Sequence, residues 1–332
     1  RAVARHLGAD HTELYVSPKD AMDVIPDLPS IYDEPFGDSS QIPSYLISKM
    51  AREHVTVALS GDGGDELFGG YERYHATCQL QSSIGKVPRL ARSVVGAGLG
   101  VLPERLLDYS LRGLFSGRGH PSVGARVKML SQLMLSNSDE RFYQAKISKW
   151  RVPGALVVGG REPETLLSDS QSWLVEGGSY DRMMYADTMT YLPDDILVKM
   201  DRAAMANSLE TRMPLLDHRI VEFAWSLPFS LKVRPRRHSK WLLREVLYRY
   251  VPRELIERPK AGFAVPVDAW VKGPLRGWAE DLLSEHRLRQ EGYFNPKPIR
   301  RKWNDHISGR YDSHGSLWPV LMFEAWLRAQ SP

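Results

Sequence analysis

Residues 55–71 have the sequence VTVALSGDGGDELFGGY, and this stretch decides the fold class that we expect. It begins with an apolar run rich in β-branched side chains, residues 55–59, which predicts a strand buried on both faces. Three glycines and two aspartates follow within residues 61–65, and the apolar, aromatic segment after them predicts a helix. A strand, a glycine loop and a helix in this order are typical of an open α/β sheet, where ligands bind beyond the carboxyl ends of the strands.

The glycine loop has the composition of a site for a metal-bound nucleotide. Glycine residues allow backbone N–H groups to approach a phosphate without a Cβ atom in the way. Asp62 and Asp65 would repel a phosphate directly, but a Mg²⁺ ion between carboxylate and phosphate removes this conflict. A plain surface turn is the alternative, since Gly and Asp both favour turns.

The composition of the whole chain is that of an ordinary soluble globular protein, with 332 residues, 42% of them hydrophobic and 25% charged. The net charge of +4 is spread along the chain, and the basic cluster at residues 234–238 is typical of a solvated loop, so we expect no nucleic-acid partner. The single cysteine, Cys78, excludes a disulfide framework within the chain and a zinc site built from cysteines. No apolar stretch reaches the roughly 18 residues of a membrane span and no signal peptide is visible, so we expect a cytoplasmic protein with no membrane partner.

The first 75 residues alternate between helix and strand patterns. Residues 2–7 predict a helix capped by Gly8, residues 12–16 predict a strand, and Ser17 predicts the start of another helix. This alternation favours a parallel sheet with right-handed crossovers. Because the chain begins with Arg1 in the middle of such a repeat, we interpret the sequence as part of a longer chain.

Later patterns are mainly helical. A helix predicted over residues 191–206 carries charges that pair at helical spacing, Asp195 with Lys199, which is typical of a solvated face. Pro214 disfavours helical geometry at the preceding residue, so Glu210 is expected near a helix end. Further helical patterns lie at residues 84–95, 103–115, 121–135 and 139–150.

Three segments together resemble the signature motifs of the asparagine synthetase family. They are the loop at residues 60–71, the run at residues 194–219 with its Asp-Arg helix and Glu-x-Arg-x-Pro-Leu-Leu-Asp turn, and the sequence RPKAGFAVP at residues 258–266. The family includes the synthetase domain of glutamine-hydrolysing asparagine synthetase and the β-lactam synthetases.

One position departs from the β-lactam branch of the family. Those relatives have a catalytic Tyr–Glu pair, but Asp62 occupies the Tyr position here. The departure favours an asparagine synthetase-like interpretation. It leaves the role of Glu210 open between catalysis and an ion pair with Arg212 or Arg202.

The resemblance implies an α/β fold, a parallel-sheet adenine nucleotide α-hydrolase-like (ATP pyrophosphatase) domain, truncated at its amino end and with a largely helical carboxyl-terminal part. Residues 1–80 would be the nucleotide-binding part, residues 81–180 a helical connecting region, and residues 181–332 the helical part that completes the site. The family's Ser-Gly-Gly-x-Asp-Ser pyrophosphate loop and its glutaminase domain would precede residue 1, so we expect residues 1–332 alone to be inactive.

The resemblance also implies an ATP-dependent ligase that converts aspartate to asparagine. The aspartate side chain attacks the α-phosphorus of ATP, releases pyrophosphate and forms β-aspartyl-adenylate, which ammonia from glutamine converts to asparagine and AMP. ATP and Mg²⁺ are the implied cofactors. Aspartate, ATP, ammonia or glutamine, and the glutaminase domain are the implied partners, and a homodimer is left open.

Roles for individual residues follow from the same resemblance. Glu34 and Asp38 are secondary candidates, and helix capping is the alternative for Asp38. Glu210 is a catalytic candidate, and an ion pair with Arg212 or Arg202 is its alternative. In the other assignments the nucleotide contacts Ser60, Gly61, Gly63 and Gly64, Mg²⁺ binds Asp65, the acyl-adenylate lies beside Asp62, and Lys260 screens the leaving pyrophosphate.

Two other functions remain open at this stage. One is an amide-forming synthetase of the same fold that acts on another carboxylic acid, in a cell-surface polysaccharide or natural-product pathway. The other is a non-catalytic remnant that serves as an interaction module. An assay of adenylate formation across carboxylic acids separates the first from an aspartate-specific enzyme.

Overall fold

The first two helices follow from capping signals in the sequence. In the computed structural model, helix α1 spans Ala2–Leu7 and ends at Gly8, whose φ of 62° lies in the left-handed region. Helix α2, Pro18–Asp23, begins after Ser17, which forms a capping box with Asp20. Both predictions are confirmed. The structure describes residues 1–102, 123–136, 138–150, 152–169, 172–173, 176–234, 239–257 and 265–330.

The strand predicted at residues 12–16 does not form. Residues 9–17 have no regular secondary structure, and Tyr15 is 76% exposed. In the described ranges the sheet consists of two short parallel strands, β1 (Val57–Leu59) and β2 (Glu210–Arg212). A segment without a neighbouring strand leaves its ladder hydrogen bonds unmade, so residues 12–16 stay irregular.

Strand β1 is shorter and more exposed than the sequence predicts. Burial on both faces is wrong, because Leu59 is 74% exposed and Val57 is 40% exposed. These two side chains lie on the same face, since side chains alternate along a strand. Their register partners on β2, Glu210 and Arg212, are exposed as well. Burial of both faces needs helices on both sides of a parallel sheet, and this face is not covered.

Most of the described chain is helical. With the small parallel sheet, this composition is consistent with an α/β domain. After α1 and α2, the α-helices of the described residues are, in chain order, α3 (Leu28–Tyr32), α4 (Gln41–Arg52), α5 (Gly64–Phe68), α6 (Glu72–Gly85), α7 (Arg89–Val101), α8 (Val123–Leu135), α9 (Asp139–Ile147), α10 (Ser179–Met189), α11 (Val198–Met205), α12 (His218–Ser226), α13 (Phe229–Lys232), α14 (Trp241–Leu247), α15 (Arg253–Ile256), α16 (Val267–Lys272), α17 (Arg276–Leu282), α18 (Glu285–Glu291), α19 (Pro296–Ile307) and α20 (His314–Gln330).

The predicted helical patterns form with changed bounds. The pattern at residues 84–95 is divided between α6 and α7, because the chain is extended at Pro88. The patterns at residues 121–135 and 139–150 correspond to α8 and α9, whereas the one at residues 103–115 lies outside the described residues. No helix in the described part of the chain is both long and apolar enough to cross a membrane.

The chain divides into two compact units. The first comprises residues 1–32, 38–75 and 174–265 and contains both strands. The second comprises residues 33–37, 76–173 and 266–332 and is helical where it is described.

A hydrophobic cluster in the first unit holds α5, the helix that follows the glycine loop. Leu67 and Phe68 of α5 are buried together with Ala224 of α12, and Leu216 and Leu243 pack against them. The apolar part of the signature segment therefore belongs to the core, and it anchors the polar loop that precedes it.

Gly63→Ala is expected to lower the free energy of unfolding by about 2–4 kcal/mol. Gly63 has a φ of 85°, and a Cβ atom there would lie 2.3 Å from Leu216 Cδ2. Urea unfolding measures the loss. Gly61→Ala is the control, because a Cβ atom at Gly61 meets nothing within 4 Å. Equal losses in the two variants would show that this contact does not constrain the loop.

The second unit contains a buried acid, Glu324 of α20. Its side chain is 0% exposed. Among the described residues no group donates a hydrogen bond to its carboxylate, and the carboxyl makes a hydrogen bond with that of Glu291 only when one of the two is protonated. The nearest guanidinium is closer to another acid, since Arg287 Nε lies 2.8 Å from Glu291 Oε1 and 3.8 Å from Glu324 Oε2. Burial, and then the neighbouring Glu291 carboxyl, raise the pKa of Glu324.

Glu324→Gln is expected to raise the free energy of unfolding at pH 8 by roughly 1–3 kcal/mol. The native protein holds the Glu324 proton more tightly than the unfolded chain does, so the contribution of Glu324 to stability is most favourable below the ordinary Glu pKa of 4.5 and falls as the pH rises above it. Gln does not titrate, so the free energy of unfolding of the variant does not decrease with pH for this reason.

Urea unfolding between pH 5 and pH 8 measures the difference for Glu324→Gln. Glu285→Gln is the control, because Glu285 is exposed and pairs with Arg289; its stability should change by less than about 0.5 kcal/mol. A pH profile shared by wild type and Glu324→Gln would contradict the assignment.

Candidate functional site

The glycine loop begins at the carboxyl end of β1. Leu59 lies opposite Arg212 in the parallel register, and the Ser60 backbone N–H donates to the Arg212 carbonyl oxygen at 2.9 Å. The pairing thus continues one residue beyond β1 and fixes the point from which the loop leaves. The position of the loop after a strand is confirmed.

The residues of the loop differ in the space around them. The Ser60 hydroxyl donates to Asp62 Oδ2 at 2.6 Å, which ties the Asp62 carboxylate to the start of the loop. Gly61 has no atom near the position of a Cβ, so packing does not require glycine there. At Gly64 a Cβ would lie 3.0 Å from Leu215 Cδ1, so that backbone is closely packed.

Asp65 forms an ion pair with Lys240. The Lys240 Nζ atom lies 3.1 Å from Asp65 Oδ1, and both side chains are partly buried. The Lys240 backbone also contacts α5, the helix that contains Asp65, because the Lys240 N–H donates to the Phe68 carbonyl oxygen at 3.1 Å. Gly70 donates to the Asp65 carbonyl oxygen at 2.8 Å, and it passes so close that a Cβ there would lie 1.9 Å from Asp65 Oδ1.

Lys240 is a candidate site residue that the sequence motifs did not indicate. It precedes α14 and has a φ of 54°, a left-handed conformation that is uncommon for a side-chain-bearing residue. Nothing in the residue pattern indicates this conformation. The nearby basic cluster was the single available signal, and it predicts only a solvated loop.

Behind the loop, Glu66 and Tyr71 form a buried polar pair. Glu66 is 1% exposed, and the Tyr71 hydroxyl donates to Glu66 Oε1 at 2.6 Å. Burial raises the pKa of Glu66, and burial together with the Glu66 charge raises the pKa of Tyr71. Glu66 therefore packs inward and holds Tyr71, while its neighbour Asp65 faces Lys240.

Arg73 connects the end of this segment to α10. Its guanidinium carbon lies 4.1 Å from the centroid of the Tyr71 ring and 4.5 Å from that of Tyr191, and its Nη2 donates to Asp187 Oδ2 at 2.6 Å. The Tyr74 hydroxyl donates to the same oxygen at 2.6 Å. This network restrains the chain that follows α5.

The predicted helix at residues 191–206 contributes a buried lysine to the first unit. Leu192–Leu197 is π-helical and α11 continues it; such segments are frequent at functional sites. Lys199 Nζ lies 2.8 Å from Asp38 Oδ2 and 3.7 Å from Asp195 Oδ1. The Asp195–Lys199 pair thus forms, but the prediction of a solvated face is wrong for Lys199, which is buried.

Asp38 has both a local and a distant partner. It accepts hydrogen bonds from the Ser40 backbone N–H at 2.9 Å and from the Ser40 hydroxyl at 2.7 Å, at the start of α4. Burial by itself raises the pKa of Asp38, but Lys199 and the Ser40 hydrogen bonds outweigh it and hold that pKa below its usual range. Asp38 is not the N-cap of α4, because that residue is Ser40 and no side chain caps the first turn. Glu34 is exposed.

Glu210 lies at the amino end of β2, in register with Val57. Its carboxylate Oε1 lies 2.6 Å from Arg212 Nε, and both side chains are exposed. Of the two alternatives for Glu210, the ion pair with Arg212 is present. Lys260, the candidate from the third motif, lies outside the described residues.

A second cluster of potential metal ligands lies in the second unit, but its hydrogen bonds do not suit a metal. His306 Nδ1 accepts from the Ser313 backbone N–H at 3.2 Å, so the proton of the neutral ring is on Nε2, the atom that faces Asp268 at 3.5 Å. A metal-bound histidine instead donates from its second nitrogen. Lys272 pairs with Asp268, and His314 pairs with Asp312.

Comparisons with known proteins give one family. A profile described as asparagine synthase matches residues 1–328. Glutamine-hydrolyzing asparagine synthetase 1 of Bacillus subtilis is 30% identical over 98% of this chain and 49% of its own length. A putative glutamine-hydrolyzing asparagine synthetase of Mycobacterium tuberculosis is 32% identical over 98% of this chain and 47% of its own length. Amidase chyE of Penicillium rubens is 25% identical over 75% of this chain and 38% of its own length.

The chain spans about half the length of the asparagine synthetases that it matches. The family profile nevertheless covers nearly all of its residues, and the family is the one that the three motifs predict. This chain belongs to the asparagine synthase family.

Proposed function

We propose that this chain carries the synthetase site of an ATP-dependent ligase that converts aspartate to asparagine. One observation carries the proposal. The signature loop of the family leaves the carboxyl end of β1 and leads directly into the Asp65–Lys240 pair. In parallel sheets, this is the end at which ligands bind.

The loop supplies the nucleotide contacts in this proposal. Backbone N–H groups between Ser60 and Gly64 would face the phosphates, and the open space at Gly61 lets a ligand approach the backbone. The adenine nucleotide α-hydrolase-like fold belongs to the same proposal.

The carboxylates of Asp62 and Asp65 fit a hard cation, because Mg²⁺ is bound through one or two carboxylates together with substrate phosphates. The Asp65 carboxylate already pairs with a cation, the Lys240 ammonium. Mg²⁺ would replace this ammonium as the partner of the carboxylate. When bound, Mg²⁺ would offset the negative charge of the departing pyrophosphate. Lys240 would then be released from Asp65 and would contact the same phosphates. The family resemblance of residues 258–266 assigns the same contact to Lys260.

The reaction requires positioning and charge neutralisation more than covalent help from the protein. An oxygen of the aspartate side-chain carboxylate bonds to the α-phosphorus, and the bond to the bridging oxygen of pyrophosphate breaks. Ammonia then bonds to the acyl carbon, the bond from that carbon to the AMP oxygen breaks, and a proton passes to solvent. AMP leaves with one oxygen of the original carboxylate.

The test is product analysis with the purified full-length protein, ATP, Mg²⁺ and ammonium or glutamine. With aspartate, we expect AMP, pyrophosphate and asparagine in equal amounts. ADP and inorganic phosphate as products would contradict the adenylating chemistry. AMP formation with another acid and not with aspartate would favour the alternative substrate. ATP left unconsumed with every acid would favour a non-catalytic module.

A further inference from the structure

Helix α14 has an aromatic and basic face that the proposed reaction does not use. Trp241 and Arg244 of α14 and Tyr248, the αR residue that directly follows it, recur at spacings of three and four residues, so they lie on one side. Together with Arg234 and Arg253 they border a cavity of about 320 Å³ within the first unit. Glu245 and Glu257 line it as well, so three arginines and two glutamates give the cavity a net formal charge of +1.

Two of the guanidinium groups are stacked on aromatic rings. The Cζ atom of Arg234 lies 4.1 Å from the centroid of the Trp241 ring, and that of Arg253 lies 4.5 Å from the centroid of the Tyr248 ring. Stacking fixes the plane of a guanidinium and leaves its N–H edge available for an anion.

The acids beside the cavity already have partners. Glu245 Oε1 lies 3.1 Å from Arg253 Nη2, and Glu257 Oε1 accepts from the Tyr248 hydroxyl at 3.0 Å. The Arg244 Nε donates to the Ser239 carbonyl oxygen at 3.0 Å.

The remaining guanidinium donors of the cavity are unused. Among the described residues, the Nη atoms of Arg244 and all three nitrogens of Arg234 make no hydrogen bond or ion pair. These N–H groups can therefore donate to an anion without breaking an existing pair.

We infer that this cavity binds a small oligophosphate anion through Arg234 and Arg244. Guanidinium forks match phosphate oxygens in a bidentate geometry, and the volume is at the lower end of the range of ligand pockets, about 300–1,000 Å³. No residue of the Ser60–Asp65 loop lines this cavity, and the inferred binding needs no metal. It adds an anion site that the proposed reaction does not require.

The test is calorimetric titration of the purified full-length protein with inorganic pyrophosphate, in EDTA and without aspartate. Arg234→Gln combined with Arg244→Gln should raise the Kd by about tenfold or more, since charge-assisted hydrogen bonds are lost. Arg249→Gln is the matched control, because this exposed arginine follows the same helix and does not line the cavity. Its Kd should stay within about twofold of wild type.

Glu257→Gln gives an independent prediction that misfolding cannot imitate. It removes a negative charge beside the anion, keeps an acceptor for Tyr248, and should lower the Kd for pyrophosphate. If ATP binds as tightly as pyrophosphate, the ligand is the phosphate tail of a nucleotide. If pyrophosphate binds and ATP does not, the ligand is the free anion. Absence of pyrophosphate binding, equal effects of Arg249→Gln and the double variant, or tighter binding of succinate than of pyrophosphate would overturn the inference. None of these results depends on ligase activity.

Discussion

Asp65→Asn is expected to lower the rate of aspartate-dependent pyrophosphate release by about 100- to 1,000-fold in the full-length protein. The amide keeps the size of the side chain but removes the charge that pairs with Lys240 at 3.1 Å and that would hold Mg²⁺. A weaker cation site leaves the negative charge of the departing pyrophosphate less well neutralised. Continuous measurement of pyrophosphate release at saturating ATP gives the rate, and its dependence on Mg²⁺ concentration shows whether the metal requirement rises.

Asp281→Asn is the matched control for the Asp65 experiment. Asp281 is an exposed acid of the second unit that pairs with Arg328, so its variant has the same chemical change without a role at the loop. The control should retain the wild-type rate. A wild-type rate in Asp65→Asn, or an equal loss in both variants, would contradict the role of Asp65.

Gly70→Ala is expected to lower the same rate by about 100-fold while the protein remains folded. The new Cβ would lie 1.9 Å from Asp65 Oδ1 and 2.2 Å from Lys240 Cε, so both side chains must leave the positions from which Asp65 would hold Mg²⁺ and Lys240 would contact the phosphates. Gly70 does not have a positive φ, so alanine adds no backbone strain. The displaced atoms are near the ends of flexible side chains, and we therefore expect a change in stability of less than about 1 kcal/mol.

Activity and urea unfolding measured on the same preparation separate the two effects of Gly70→Ala. Gly277→Ala is the control, because a Cβ at that helical glycine of α17 meets nothing within 4 Å; it should keep its activity. Full activity in Gly70→Ala would show that the Asp65–Lys240 geometry is not needed. A loss of activity accompanied by an equivalent loss of folded protein would also contradict the prediction.

Local signals allowed the sequence to predict parts of this fold correctly. Gly8 and Ser17 act on their own helix ends, so their roles follow from residues nearby. The loop from Ser60 to Gly64 was predicted as well, because its glycines directly follow an apolar run. Strand burial was not predictable in this way, since it depends on which elements cover β1, and Leu59 remains exposed.

The pairs that organise the site join residues far apart in the chain. Arg73 and Asp187 are 114 residues apart, and no periodicity connects such positions. Lys199 illustrates the same limit, because its helical spacing suggested Asp195 while its closer partner is Asp38, 161 residues away. The spatial convergence of the third motif on this site stays a prediction, because Lys260 lies outside the described residues.

The most direct measurement of the proposed chemistry is the fate of an isotopic label. The full-length protein is supplied with aspartate labelled with ¹⁸O in its side-chain carboxylate, together with ATP, Mg²⁺ and ammonium, and the phosphorus-containing products are analysed by mass spectrometry. Attack of that carboxylate on the α-phosphorus predicts one ¹⁸O atom in each AMP formed and none in pyrophosphate. Label in inorganic phosphate, with ADP as the nucleotide product, would show transfer of the terminal phosphoryl group instead and would contradict the account.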